Sequence, residues 1–323
     1  MQNGFDDANF VRSFEAVGYD VINIDDRVFY SFDTSSEVSR LCRRLIRAQQ
    51  TRAFNLEIQK YLRIAKPKIV FVFKAPGLHY ETVQLANDLR IPLVVFYPDL
   101  EPAVLGKSYV AALRAASAFY HTKPNLVGHF QQTLRSDVRF TYPLYDAKSV
   151  STGDIDSNRR MVLVAHHSTG KLDLLRQIND FDVIDIDVYG SGWPAIALNR
   201  VVFHGPLFGP AINGIYRKAS FVLGALMERV DGFVDGDVIT SRSIQVPAYG
   251  GLLIHPYTDA ALELYESDEC LFTAASDLEG KLTSLLLHDA VRRDLQINQQ
   301  RAVIAKARSV DSFVNDLILE FGS

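Results

Sequence analysis

Short apolar runs alternate with longer amphipathic stretches along the whole chain. In the first half, residues 19–24, 68–73 and 93–97, with a shorter run at 117–120, read as strands. Helical patterns fill the gaps at roughly 9–17, 37–65, 81–89 and 110–116. The strand runs are almost continuously apolar rather than alternating, which suits strands buried on both faces of a parallel sheet. Strand-helix-strand alternation of this kind predicts right-handed βαβ units and a doubly wound sheet. A polar stretch at 146–160, rich in Ser, Thr, Gly, Asp and Asn, interrupts the pattern and reads as a linker. A second series follows, with strands at 161–165, 183–189, 201–203, 221–223 and 252–255, and a helical tail at 277–319 broken near 307–310.

The predicted organisation is therefore α/β, with one doubly wound domain at 1–148 and another at 149–306. Residues 307–323 form a C-terminal helix expected to pack back on the first domain. The first helix, from near Asp7 to Gly18, has no strand before it. Either the first domain lacks its first strand or the chain begins downstream of it, with Gly4 the remnant of the turn. Two such halves are expected to leave a cleft between the carboxyl ends of their sheets, where ligands bind in folds of this class.

Composition narrows the function. The chain has 323 residues, 48% of them apolar and 22% charged, enough for two buried cores. No run reaches the roughly 18 apolar residues of a membrane span and no basic-then-apolar leader opens the chain, so a cytoplasmic location is expected. Cys42 and Cys270 stand far apart without CxxC spacing, which implies neither a disulfide framework nor a zinc site. A formal net charge of −4 argues against a general nucleic-acid binder. Against that acidic background Arg40, Arg43, Arg44 and Arg47 recur at helical spacing beside Leu41 and Leu45. Such a face suits a weak peripheral membrane contact or a phosphorylated acceptor, or is simply a solvated helix face.

The densest chemistry lies at 237–251, Asp-Val-Ile-Thr-Ser-Arg-Ser-Ile-Gln-Val-Pro-Ala-Tyr-Gly-Gly, followed by apolar Leu252-Leu253-Ile254. Seven residues separate Asp237 from Gln245, Arg242 lies between them, and Gly250-Gly251 leads onto a strand. The segment reads as a ligand-gripping turn rather than a core element. It resembles the CgeB-like, spore-maturation type of glycosyltransferase, whose pattern runs roughly Asp-x-x-Thr-x-Arg-x-Phe-Glu-x-Pro-Ala-Cys-Gly-Gly. Asp237, Thr240, Arg242, Pro247, Ala248, Gly250 and Gly251 match it. Supporting matches are Tyr189-Gly190-Ser191-Gly192-Trp193, His204-Gly205 with Ile215-Tyr216-Arg217-Lys218-Ala219, and Ile91-Pro92 through Asp99.

The resemblance implies a GT-B architecture of the glycosyltransferase family 4/1 kind: two Rossmann-like domains, the second holding most of a sugar nucleotide. Asp237 and Gln245 fall on a variant of the Glu-x7-Glu pair of retaining glycosyltransferases, with Asp237 near the transferred sugar and Gln245 on the ribose hydroxyls. A helical turn with free backbone N–H groups suits an anionic diphosphate, and the planar fork of Arg242 suits two phosphate oxygens. Gln245 replaces the expected Glu, Ile244 the Phe and Tyr249 the Cys. A neutral amide makes bonds roughly half as strong as a carboxylate does, which predicts weaker donor binding or a different nucleotide.

Other residues complete the expected site. Glycosyl transfer needs the leaving diphosphate neutralised, which fixed cations can do without a metal; Lys171 is the second cation after Arg242. It ends His166-His167-Ser168-Thr169-Gly170-Lys171, a P-loop imitation with Ala165 in place of the first Gly and Leu172 in place of Ser or Thr, so nucleotide hydrolysis is not expected. The adjacent histidines read as a hydrogen-bonded loop rather than a metal site. Trp193 and Tyr216 stack on a base or pack in the core, and Gly205 admits a close backbone approach or an ordinary turn. Gly190, Gly250 and Gly251 join Trp193 and Gly205 around the donor. His79, Asp99 and His121 stand at successive strand ends of the first domain, where a histidine can take or orient an acceptor proton.

The expectation is a metal-independent, cofactor-free hexosyltransferase, retaining on the resemblance alone, with His79 and Asp99 on the acceptor side. The acceptor class stays open between surface polysaccharide, lipid-linked glycan, protein and small metabolite. The rivals are a catalytically degenerate sugar-nucleotide-binding or scaffold protein, and a nucleotide-sugar epimerase.

Overall fold

A computed structural model describes residues 5–30, 40–152, 159–226 and 236–322. The chain divides into two units. One, here the N-terminal unit, comprises Ser13–Phe140 with Val314–Ser323; the other, the C-terminal unit, comprises Met1–Arg12 with Thr141–Phe313. Both are Rossmann-like layers of parallel strands and helices. The division falls at 140/141, upstream of the polar stretch, and residues 153–158 of that stretch lie outside the described residues.

The chain opens with α1 (Phe5–Ala16), α2 (Asp26–Phe29) and the long α3 (Arg40–Ile64). Then follow β1 (Val70–Phe73), α4 (Tyr80–Asp88), β2 (Leu93–Tyr97), α5 (Lys107–Ala115), β3 (Ala118–His121), α6 (Pro124–Thr133) and β4 (Arg139–Phe140). These strands form one parallel sheet in the order β1-β2-β3-β4, with Val70 opposite Leu93 and Val94 opposite Ala118. Leu93, Val94, Val95, Ala118 and Phe119 are wholly buried, the reason their runs carry no polar alternation.

Residues 19–24, expected as a strand, are not one. They run without a ladder partner among the described residues, and Ile22 is 47% exposed. Strand propensity without a neighbouring strand leaves the backbone to solvent. No strand precedes β1 among the described residues, and residues 1–4 lie outside them.

The C-terminal unit contains β5 (Arg160–Val164), α7 (Thr169–Ile178), β6 (Asp185–Tyr189), β7 (Val201–His204), α8 (Pro210–Lys218), β8 (Phe221–Leu223), α9 (Ser241–Ala248) and β9 (Leu253–Pro256). It continues through α10 (Asp259–Tyr265), β10 (Leu271–Phe272), α11 (Ala275–Leu287) and α12 (Asp289–Lys306), and α13 (Val310–Phe321) closes the chain. Its sheet runs β10-β9-β8-β5-β6-β7, all parallel. Strand order reverses between β5 and β8, and in open α/β sheets the carboxyl ends at such a reversal are where ligands bind.

Glutamines of α12 fasten this core. Gln299 accepts from Leu253 N at 3.0 Å and donates to Leu253 O at 2.9 Å, Gln296 donates to Gly250 O, and Gln300 donates to Ala248 O at 3.1 Å. The start of α13 belongs to this unit, with Phe313 edge-on to Phe10 at 6.2 Å. Its end belongs to the N-terminal unit, where Arg139 makes two 2.7 Å bonds to Glu320 and lies near the rings of Tyr120 and Phe321.

Candidate functional site

Helix α9 organises the C-terminal site, and it is more deeply buried than the sequence suggests. Ser243, Ile244, Val246, Pro247 and Ala248 are all buried. The expected ligand-gripping turn is thus a two-turn core helix whose first turn and preceding loop carry the polar groups. Its ends are built locally. Ser243 Oγ accepts from Thr240 N at 3.0 Å, closing the N-terminus. Pro247 has no N–H for the carbonyl of Ser243, and the Tyr265 hydroxyl donates to that carbonyl instead at 2.9 Å. At the C-terminus Gly250 N bonds Pro247 O at 3.0 Å and Gly251 N bonds Val246 O at 2.9 Å, with Gly250 at φ +83°. That is a Schellman ending. A Cβ on Gly251 would lie 2.9 Å from Tyr216 O and 2.8 Å from Val246 Cγ1. Both glycines therefore have a structural task at the helix end, independent of any donor contact.

Arg242 projects from the first turn of α9 to the point where strand order reverses. Nη1 donates to Val164 O at the end of β5 at 3.0 Å, and Nη2 to Ala225 O just past β8 at 2.6 Å. It makes no ion pair among the described residues, and Nε is buried without a hydrogen-bond partner there. Lys171, in the first turn of α7, is buried and donates to His166 O at 3.3 Å. The two cations named from sequence thus converge on one strand end, residues 164–166.

That strand end is zipped to the loop after β6. Ala165 N bonds Tyr189 O at 2.9 Å, His167 N bonds Ser191 O at 3.1 Å, and His166 Nδ1 lies 2.7 Å from Ser191 Oγ. Trp193 Nε1 donates to Ala165 O at 3.0 Å, and the indole packs against His167 and Phe203. Gly190 has φ +151°, and a Cβ there would fall 1.9 Å from Ala165 O, so a side chain would part the two loops. Gly205 is different: a Cβ would meet nothing within 4 Å, so the fold itself does not require glycine.

Behind Arg242 lies His255, buried at the end of β9. Its Nδ1–H donates to Pro256 O at 2.6 Å, which leaves Nε2 to accept from the Ser243 hydroxyl at 2.9 Å. Burial and the neighbouring Arg242 charge push its pKa down to about 4, against the opposing Pro256 bond and the charge of Asp237. Asp237 and Arg242 therefore share the surroundings of one neutral imidazole. Sequence reading missed His255 because it sits inside an apolar strand run. Gln245 donates to Leu144 O at 3.4 Å, and Ile244, where the CgeB-like pattern has Phe, is a core residue. Tyr249, in the Cys position, is buried with its hydroxyl accepting from Asp146 N at 2.9 Å. Tyr216 is also buried, its pKa raised to about 12 by desolvation, and so is unable to stack on a base.

In the N-terminal unit, His79 and Asp99 both follow carboxyl ends of strands, after β1 and β2. Asp99 pairs with Lys74 at 2.8 Å, and Lys74 and Ala75 are left-handed at φ 62° and 41°. Asn55, absent from the sequence reading, holds this loop. Its Nδ2 donates to Gly77 O at 2.7 Å, and its Oδ1 accepts from His79 N at 2.9 Å and Thr82 Oγ1 at 2.7 Å. His121 does not join them as an acid or base. It is wholly buried, with Nε2–H donating to Asp99 O at 2.8 Å and Nδ1 accepting from Lys123 N at 3.1 Å. Burial lowers its pKa to about 4.

Of the arginine face, Arg47 lies 3.7 Å over the Tyr30 ring, while the side chains of Arg40, Arg43 and Arg44 lie outside the described residues. No group of three or more His, Cys, Asp or Glu placed to hold a metal occurs among the described residues. No helix among them is long and apolar enough to cross a membrane.

Residues 170–315 match a family model described as glycosyl transferase-like. No curated protein matches the chain. Among solved structures, a sucrose-phosphate synthase from Thermosynechococcus elongatus is similar at TM-score 0.60 and 13% identity, over 84% of this chain and 78% of that one. TarM of S. aureus, in complex with Fondaparinux, alpha-GlcNAc-glycerol and UDP, is similar at TM-score 0.60 and 10% identity, over 84% and 59%. A putative UDP-N-acetylglucosamine 2-epimerase from Listeria monocytogenes is similar at TM-score 0.54 and 14% identity, over 84% and 78%. The fold is of the two-domain GT-B type, and the stretch from α7 into α13 carries the glycosyl transferase-like sequence.

Proposed function

We propose that the chain transfers a sugar from a nucleotide sugar to an acceptor hydroxyl, with the donor held by the C-terminal unit and the acceptor by the N-terminal unit. The observation that carries this reading is the convergence of Arg242 and Lys171 on residues 164–166, at the carboxyl ends of β5 and β8. Departure of a nucleoside diphosphate builds negative charge, and two fixed cations at a strand-order reversal are placed to oppose it. Guanidinium has five N–H donors; Arg242 uses two on carbonyls, so its plane is fixed before any ligand arrives. Asp237, in the loop before α9 and acting with Arg242 on the surroundings of His255, is assigned to the donor sugar and Gln245 to the ribose. His79 and Asp99, with Lys74, are assigned to the acceptor. Transfer without a metal, retention of configuration, a hexosyl donor and the CgeB-like subtype belong to the same proposal.

Thermal shift with uridine diphosphate and a panel of nucleotide sugars tests it, since a ligand that binds only the folded state raises the melting temperature. Wild-type protein should be stabilised and Arg242→Gln should not. Absence of any shift in the wild type with every nucleotide sugar would sink the reading. Two rivals have an observation each. Gln245 turned toward Leu144 O favours a binder without turnover, which would show a shift but no transfer. The similarity to the Listeria epimerase favours donor isomerisation, which would proceed with no acceptor present.

A further inference from the structure

The last residues of β5, β6 and β7 form one row. Val164 lies opposite Tyr189 and Tyr189 opposite His204, so the row crosses three strands at their carboxyl ends. Arg242 marks one end, where it bonds Val164 O and, just past β8, Ala225 O. His204 marks the other, two strand spacings or roughly 10 Å from Val164. That end is open at Gly205, where a Cβ would meet no atom within 4 Å, and the His204 side chain is 37% exposed.

The His204 ring is fixed by its neighbours. Its Nε2 lies 2.8 Å from Asp187 Oδ1, and Arg160 Nη1 donates to Asp187 Oδ2 at 2.7 Å. The Tyr189 ring stacks on the imidazole, with centroids 4.5 Å apart and planes 10° from parallel. Asp187 is buried and flanked in sequence by the core residues Ile186 and Val188, a strand position that an apolar side chain would fill with no loss of stability. Burial alone would raise its pKa, but the bonds from His204 and Arg160 outweigh that cost and hold the carboxyl below the usual range. An ionised carboxylate only accepts, so Nε2 carries the proton, and in the neutral ring Nδ1 is left as an acceptor. His204 makes no second hydrogen bond among the described residues.

Arg242 itself spans the ends of β5 and β8, so a nucleoside diphosphate with its phosphates there extends along the row toward β7. The spacing of the row is about the reach from a diphosphate across its ribose to the pairing edge of its base. Bases divide by what that edge offers a lone pair. Uracil, thymine and guanine present a ring N–H; cytosine and adenine present a ring nitrogen with a lone pair of its own, which Nδ1 repels.

We propose that His204, oriented by Asp187, reads the base of the donor and restricts it to nucleotides with a ring N–H on the pairing edge. The proposal rests on the assignment of the donor diphosphate to Arg242 and Lys171. Calorimetry at pH 8 with the diphosphates of uridine, thymidine, cytidine, guanosine and adenosine tests it. Within the size class that binds more tightly, pyrimidine or purine, wild-type protein should hold the N–H base about tenfold tighter than its counterpart. His204→Phe keeps a ring for Tyr189 but removes the nitrogen, and should erase the difference. Asp187→Asn should reverse it. Arg160 takes the amide oxygen, the amide N–H donates to Nε2, and the ring proton moves to Nδ1. A purely structural role for the pair would change stability without inverting the preference. If either variant does not fold, the other decides.

Equal binding of N–H and lone-pair bases by wild-type protein, or a preference that survives these substitutions, would overturn the proposal and leave the donor reading standing. Failure of wild-type protein to bind any of the five would overturn both.

Discussion

Arg242 shows what a residue's chemistry reveals in a sequence and what it conceals. The fork suggested a phosphate ligand; its attachment to Val164 O and Ala225 O could not be read, because backbone partners leave no mark on residue identity. Lysine at this position keeps the charge but cannot span two carbonyls. Arg242→Lys should lose about 2–3 kcal/mol of stability in urea unfolding and weaken uridine diphosphate binding at least tenfold in calorimetry. Unchanged affinity in a folded Arg242→Lys would remove this residue from the phosphate site. Gln245 argues the other way. Its bond to Leu144 O is long at 3.4 Å, so Gln245→Glu should cost under ~1 kcal/mol of stability. A carboxylate on the ribose should tighten donor binding several-fold, about 1 kcal/mol. Equal affinity of the two proteins would count against ribose contact. Tyr216 and His121 mark the limit of such reading: ring chemistry suggested ligand work, and burial assigned both to the interior.

Elements were legible where burial on both sides of a sheet forces an apolar run, as at β2, β5, β8 and β9. Residues 19–24, apolar but for Asp20 and Asn23, find no partner strand among the described residues, and β4 and β10, two residues each, are too short to leave a pattern. The bonds of the α12 glutamines leave no local pattern, because their partners, the backbone of Ala248, Gly250 and Leu253, lie about fifty residues away. Helix α9 was the larger surprise, since its matching residues looked like ligand contacts and turn out to be largely fold. Pro247 leaves the Ser243 carbonyl without a helical partner, and Tyr265 supplies one. Tyr265→Phe should therefore cost about 1–3 kcal/mol in the wild-type background, the penalty of a buried unpaired carbonyl. In a Pro247→Ala background the helix can supply the N–H, and the same substitution should cost measurably less. A double-mutant cycle reads the difference; strict additivity would mean that proline and tyrosine are not coupled. Gly251→Ala should be worse than Gly250→Ala. The latter strains a left-handed residue by about 1 kcal/mol, whereas the former also drives a methyl group against Tyr216 O and Val246.

At the scale of the molecule, the least legible feature is how the chain is divided. A linear reading cuts it into consecutive pieces, yet α1 and α13 each contribute residues to both units, so neither unit is a continuous stretch. Each unit buries one neutral histidine, His121 in the N-terminal and His255 in the C-terminal, with both ring nitrogens engaged. Protonating either would set an N–H against an existing donor, Lys123 N or the Ser243 hydroxyl. Both pKa values lie near 4 in the fold, from burial, and near 6.5 in the unfolded chain. The unfolded state thus binds more protons between these values, and stability must fall as pH drops from about 6.5 to about 4. The slope approaches ~1.4 kcal/mol per pH unit for each histidine in a unit that unfolds as a whole. Paired carboxylates with lowered pKa values, Asp137 and Glu320 held by arginine hydrogen bonds and Asp187 held against desolvation by His204 and Arg160, lose their contribution only at lower pH. Asp26, raised by burial, acts with the opposite sign and gains on acidification. Urea unfolding at pH 7, 6 and 5 should show the decline in wild-type protein. His121→Gln and His255→Gln, less stable at pH 7 but without a proton to gain, should each flatten the part that belongs to its own unit. A wild-type profile level from pH 7 to 5 would mean that neither imidazole is held neutral in the fold, and the hydrogen-bond directions assigned beneath α9 and beside Asp99 would both have to be reversed.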